Sequence, residues 1–129
     1  MDGSGGDNLL LREETFLVRR AAFDVHSAMG HGFLEAVYQE CLAIEFERRD
    51  VPFEMLKPLR LTYCGRELKQ TYVADFVCYE QIIVELKSVR TLAPEHRAQT
   101  INYLRASGLR LGLLINFGGP SAEIERFAL

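Results

Sequence analysis

The fold turns on YVADFVCYEQIIVELK, Tyr72–Lys87. Two apolar runs, Val73–Tyr79 and Ile82–Lys87, are parted by the polar pair Glu80-Gln81, the pattern of two short neighbouring strands joined by a tight hairpin turn. Each run carries charge that a buried strand avoids: Asp75 in the first, Glu85 and Lys87 in the second. Side chains alternate along a strand, so Glu85 and Lys87 leave one face while Val84 and Leu86 leave the other. Antiparallel pairing about Glu80-Gln81 brings Asp75 close to the level of Glu85. Two carboxylates and an ammonium then converge at one end of an apolar core, which is costly unless the charges pair or bind a metal. A solvated sheet face is the structural alternative for a lone Asp or an E-x-K. Against it, Val73, Ala74, Phe76, Val77, Ile82, Ile83, Val84 and Leu86 are apolar on both faces, as in a central strand pair.

Toward the N-terminus, Val51–Lys69 reads as strand, turn and strand. Pro52 and Pro58 argue against an unbroken central strand, so a strand is expected to begin at Pro58 and run to Tyr63, with Cys64-Gly65-Arg66 as its turn. Lys57, Arg60, Arg66 and Lys69 there offer basic side chains near a substrate path, or simply solubility. Before them, a helix is expected over Phe33–Arg49, burying Leu34, Val37, Tyr38, Cys41, Leu42 and Ile44. Glu35 sits in its first turn, where the helix N-terminus stabilises a carboxylate, so capping accounts for it as well as function does. A further helix is expected over Leu10–Met29, with Phe16, Leu17, Ala21, Phe23, Val25 and Ala28 on its apolar face and Gly30 as its stop. His26 on it reads as a surface or packing histidine.

Toward the C-terminus, Pro94-Glu95 opens a helix that runs to Ser107 and stops at Gly108. Gln99 and Tyr103, four apart, share a face, to meet either substrate or the sheet. A last buried strand is expected over Arg110–Asn116, and Ile124–Leu129 reads as a short edge strand or an assembly tail. This order gives an α/β fold, a mixed β-sheet flanked by helices, in one domain over 10–129 after a disordered stub over 1–9.

The 129 residues are 48% hydrophobic, enough for one substantial core, and carry a net charge of -3. Such a balance excludes a generally basic nucleic-acid binder but allows a local basic surface on the later half, where Arg90 and Arg97 add to the lysines and arginines already named. Three scattered cysteines form neither a zinc spacing nor a disulfide framework, and no membrane-length apolar run occurs. The expectation is a soluble, cytoplasmic protein with no membrane partner.

Gly32-Phe33-Leu34-Glu35-Ala36-Val37-Tyr38, Tyr72-Val73-Ala74-Asp75-Phe76, Ile83-Val84-Glu85-Leu86-Lys87 and Gln99-Thr100-Ile101-Asn102-Tyr103-Leu104 together resemble the GxxExxR protein family, a branch of the PD-(D/E)XK nuclease superfamily. The closing Leu113–Gly118 also resembles that family's last strand, and the likeness spans nearly the whole chain from residue 10. It departs at Ala74, where the motif has proline, and at Tyr38, where the name-giving arginine falls. The resemblance implies a restriction-endonuclease-like core in which Asp75 and Glu85 hold a divalent metal, Lys87 completes E-x-K and Glu35 supports the metal. Gln99 and Tyr103 resemble the helix-borne Gln-x-x-x-Tyr element of RecB-type nuclease domains. Mg²⁺, with Mn²⁺ as substitute, suits such oxygen ligands, and the Leu86 carbonyl can add another. Two adjoining carboxylates favour an electrostatic role for Lys87 over that of general base. The resemblance leaves the substrate open, and the expected activity is metal-dependent hydrolysis of DNA phosphodiesters, ahead of RNA. The alternative is a non-catalytic nucleic-acid-binding or protein-interaction module on the same fold, and either reading admits a homodimer or an unidentified protein partner.

Overall fold

The computed structural model describes residues 10–129, and the stub expected over 1–9 lies outside them. Helices α1 (Arg12–Met29) and α2 (Glu35–Arg48) precede strands β1 (Phe53–Tyr63), β2 (Arg66–Cys78) and β3 (Ile82–Lys87). Helix α3 (Pro94–Ser107) and strands β4 (Leu111–Asn116) and β5 (Glu123–Ala128) follow. The strands lie in the order β1-β2-β3-β4-β5, antiparallel throughout except for the parallel pair β3/β4. A parallel pair needs a crossover, and α3 supplies it. The result is the expected mixed sheet flanked by helices.

β3 and β4 are buried along nearly their whole length because helices cover both faces of the sheet. On one face Phe76, Ile82, Val84, Leu86, Leu113 and Ile115 pack with Val18, Ala21 and Val25 of α1 and Tyr38, Leu42 and Phe46 of α2. On the other, Ala74, Val77 and Ile83 pack with Tyr103 and Leu104 of α3. The Lys87 end of β3 therefore opens where α2 and α3 both begin.

Several details correct the sequence reading. The inward stripe of α1 is Val18, Ala21, Ala22 and Val25, whereas Phe16 and Phe23 are exposed. Their seven-residue spacing places them together on the outer side, and the small alanines form the inner one. In α2 only Tyr38, Leu42 and Phe46 are buried, one row at steps of four, while Leu34 and Ile44 face solvent. β1 starts at Phe53, ahead of Pro58, which an edge strand tolerates. β2 is one long strand rather than two segments, and every residue from Arg66 to Val73 is exposed, so the β1–β2 hairpin projects as an arm. The turn into β3 lies one residue earlier than expected: Tyr79 and Glu80 are both left-handed (φ 56° and 59°), and the Gln81 amide donates to the Cys78 carbonyl. β4 begins at Leu111 rather than Arg110. β5 is an edge strand beside β4, which decides between the alternatives for the C-terminal stretch. His26 packs inside, 3.0 Å from the Gly119 carbonyl oxygen and stacked on Phe117.

Candidate active site

β2 and β3 pair from Cys78–Ile82 to Phe76–Val84, and there the ladder ends. At the next level side chains take over. The Asp75 amide donates to Glu85 Oε2 (2.9 Å), and the Leu86 amide donates to Asp75 Oδ2 (2.8 Å). Each carboxylate thus satisfies the backbone of the opposite strand, which fixes both head groups at the fork. The period of two also fails here. Ala74 and Val77, three apart, join the same apolar cluster, and on β1 Leu56, between the partners of Phe76 and Ala74, has φ 54°. A left-handed leucine inside a strand is strained, and such irregularities concentrate at functional sites.

α2 reaches the fork with two side chains four apart on one helix face. Gln39 Nε2 donates to Asp75 Oδ1 (2.9 Å). Glu35, one turn earlier and open to solvent along one side, lies within the fields of Lys87, Asp75 and His96. From α3, buried Tyr103 sets its ring 4.7 Å from that of Tyr72, with Gln99 half-buried one turn before it. Asp75, Glu85, Lys87, Glu35 and Tyr103 are therefore brought to one end of the sheet.

The site carries more negative charge than it can balance. Glu85 is 4% exposed, and its carboxyl is pushed up to about 8 by burial and then by Asp75, against the Asp75 amide and Lys87. Burial likewise raises the Asp75 carboxyl despite the Leu86 amide, Lys87 and Gln39. Glu35 is raised by partial burial, an effect that Lys87 opposes and Asp75 reinforces. Burial and then the charges of Glu85 and Asp75 push the Tyr103 phenol up to about 12. Among the described residues no direct salt bridge joins Lys87 to these carboxylates, so a structural ion pair does not explain them. Clustered carboxyls displaced in this way are a signature of a functional site.

As ligands the fork offers hard oxygens from Asp75 and Glu85. Glu85 Oε1 has no protein donor among the described residues, and the Leu86 carbonyl belongs to the same strand end. Among those residues, no three His, Cys, Asp or Glu side chains form a group able to hold a metal, so Glu35 does not complete a third protein ligand.

The expected basic surface is dispersed. Lys57 pairs with Glu54 (2.6 Å) and Arg60 with Glu67 (3.7 Å) on the arm, where Arg66 and Lys69 also project. Arg97 makes two 2.8 Å bonds to Glu125 of β5 and so ties α3 to that strand. Arg90 alone of the six lines a groove beside the fork. A larger cavity of about 790 Å³ lies along α1 around Arg12, Phe16 and Arg126, away from the carboxylates.

Gln39, Tyr72 and His96 were missed in the sequence. Gln39 had a signal, its four-residue spacing from Glu35. His96 caps α3 by accepting the Ala93 amide at Nδ1 (3.0 Å), and Tyr72 depends on a contact across the fold that no local pattern announces.

The sequence model of the PD-(D/E)XK nuclease superfamily matches residues 12–127. The chain belongs to this superfamily. The PD-(D/E)XK core is the mixed sheet described above, with α1 and α2 on one face and α3 on the other. No curated protein matches the chain. A solved structure described as the crystal structure of SSO0001 is similar at 14% identity and a TM-score of 0.48, over 88% of this chain and 76% of that one, a likeness too slight to carry an argument. No described helix is long and apolar enough to cross a membrane.

Proposed function

We propose that this protein is a divalent-metal-dependent nuclease that hydrolyses phosphodiester bonds of DNA, with residues 10–129 as its single domain. The observation that carries this reading is the pair of interlocked carboxylates at the parting of β2 and β3, both raised by burial, with one nearby ammonium to offset them. Such a donor set fits Mg²⁺, or Mn²⁺ in its place, through Asp75 and Glu85, with the Leu86 carbonyl as a further oxygen and Glu35 acting through water bound to the metal. When bound, the metal would polarise the scissile phosphate and lower the pKa of the attacking water. Gln39 and the Leu86 amide hold the Asp75 carboxylate in one orientation, and the Asp75 amide holds Glu85. Lys87 stabilises the charge that develops on the phosphoryl oxygens, and Gln99 and Tyr103 orient a phosphate or base from α3. The motif around Glu35 supports placing the chain in the GxxExxR branch. Tyr38, at the arginine position, donates to the Gly30 carbonyl (2.6 Å) and accepts the Phe33 amide (3.3 Å), steadying the turn that leads to Glu35.

The test is a panel of single-stranded, double-stranded, flapped and branched DNA, with RNA beside it, incubated with Mg²⁺ or Mn²⁺. DNA cleavage by wild type, lost in Asp75→Ala and Lys87→Ala, is the expected result. The lack of a three-residue metal group among the described residues favours a second reading, a non-catalytic nucleic-acid-binding or protein-interaction module. Binding without cleavage across the panel would establish it. In either case a second copy or a protein partner would supply grip that the dispersed basic residues of one chain do not.

A further inference from the structure

Beside the carboxylate fork lies a groove of about 500 Å³, lined among others by His31, Phe33, Leu34, Ser88 and Arg90. We propose that it is a subsite for the nucleotide adjoining the scissile bond, with Arg90 binding that nucleotide's phosphate; this rests on the nuclease reading. The groove and the fork share both walls, since Phe33-Leu34 leads directly into Glu35 and Ser88 directly follows Lys87. A strand whose phosphate reaches the fork therefore continues into the groove.

The groove's chemistry is opposite to the fork's. Its lining has no carboxylate and contains Arg90 and His31. Arg90 has no salt-bridge partner among the described residues, whereas Arg49, Arg60 and Arg97 are each paired. An unpaired guanidinium presents the fork of donors that matches a phosphate. Phe33 and Leu34, 43% and 78% exposed, set apolar surface beside this cation. Cation plus exposed aromatic ring suits an anionic sugar-phosphate carrying a flat base. The volume is also in the range of small-ligand sites.

The walls are pre-formed. Ser88 Oγ donates to the Phe33 carbonyl (2.7 Å), tying the loop after β3 to the turn before α2. Asn116 accepts the Val89 amide (3.0 Å) and donates to the Val89 carbonyl (2.8 Å), holding the residue before Arg90 from both sides.

The test is fluorescence anisotropy of a short fluorescein-labelled single-stranded DNA in EDTA, over a salt series. Arg90→Ala should weaken binding about tenfold and lower the salt slope by about one. Arg90→Lys should keep the slope, and Phe33→Ala should weaken binding with the slope unchanged. Exposed Arg105→Ala on α3 is the control, and thermal melts check that each variant folds. Equal binding by wild type and Arg90→Ala, or no binding by wild type, overturns the subsite. Cleavage in Mg²⁺ is read separately. If wild type does not cut, the nuclease reading fails while the metal-free anisotropy still decides the groove. If Lys87→Ala abolishes cutting and Arg90→Ala cuts with unchanged KM, the groove assignment alone fails.

Discussion

Glu85 is the residue whose chemistry and surroundings conflict most. Its carboxyl sits at about 8 in the fold against an ordinary 4.5, so the folded chain keeps a proton that the unfolded chain releases between those values. The stability it contributes is complete below the ordinary value, is lost as pH rises toward about 8, and is level beyond. At about 1.4 kcal/mol per pH unit the loss has a ceiling of about 5 kcal/mol. Asp75, also raised, acts in the same direction. Urea unfolding in EDTA should therefore show wild type losing stability between about pH 5 and about pH 9, and Glu85→Gln losing clearly less; parallel curves would contradict the burial penalty. Gln39 gives a second prediction at this scale. Gln39→Ala removes the only side-chain donor to Asp75 among the described residues, so turnover should fall at least about tenfold while stability drops by about 1 kcal/mol, the worth of one ordinary hydrogen bond. Unchanged turnover would reduce Gln39 to a packing contact.

Among the elements, the segment after β3 is the most constrained, because it must leave Lys87 and cross the end of β4 without moving the fork. The Phe117 amide donates to the Lys87 carbonyl (2.8 Å), and Asn116, fully buried, joins Val89, Gly118 and Glu123. A Cβ on Gly118 would lie 2.1 Å from the Val89 carbonyl oxygen, so backbone meets backbone with no side chain to yield. Gly118→Ala should cost more than about 3 kcal/mol, and Asn116→Ala about 2 kcal/mol or more through orphaned buried groups. Thermal melts would test both, and a Gly118→Ala variant that melts like wild type would refute the close approach. Asn116 and Gly118 thus support the fork from outside it.

For the molecule as a whole, the proposed metal site would couple folding to cation binding through the unbalanced charge at one sheet end. At the proposed site Mg²⁺ would bind the ionised carboxylates of the folded state, so saturating metal should raise the melting temperature at neutral pH, by about 2.7 kcal/mol of stability at a hundredfold excess over Kd. The rise should vanish in Asp75→Asn and Glu85→Gln, whose metal-free forms should be at least as stable as wild type, since each relieves like-charge repulsion while its amide oxygen still accepts the opposite strand's N–H. An equal rise in all three proteins would place the cation elsewhere.

The amino-acid sequence alone determined the elements whose signals are local. Pro94 and Gly108 bounded α3, Gly30 stopped α1, Cys64-Gly65 made the arm's turn, and the apolar runs around Asp75 and Glu85 named the strands of the fork. These depend on backbone preferences and side-chain period, which act within a few residues. Tertiary structure alone decided which residues oppose one another across the chain: Gln39 on Asp75, Tyr72 on Tyr103, Glu125 taking Arg97, and His26 buried against Gly119. It also decided that alternation breaks at Asp75, where carboxylates replace ladder bonds, because that break satisfies the backbone of a partner strand that no local pattern can specify.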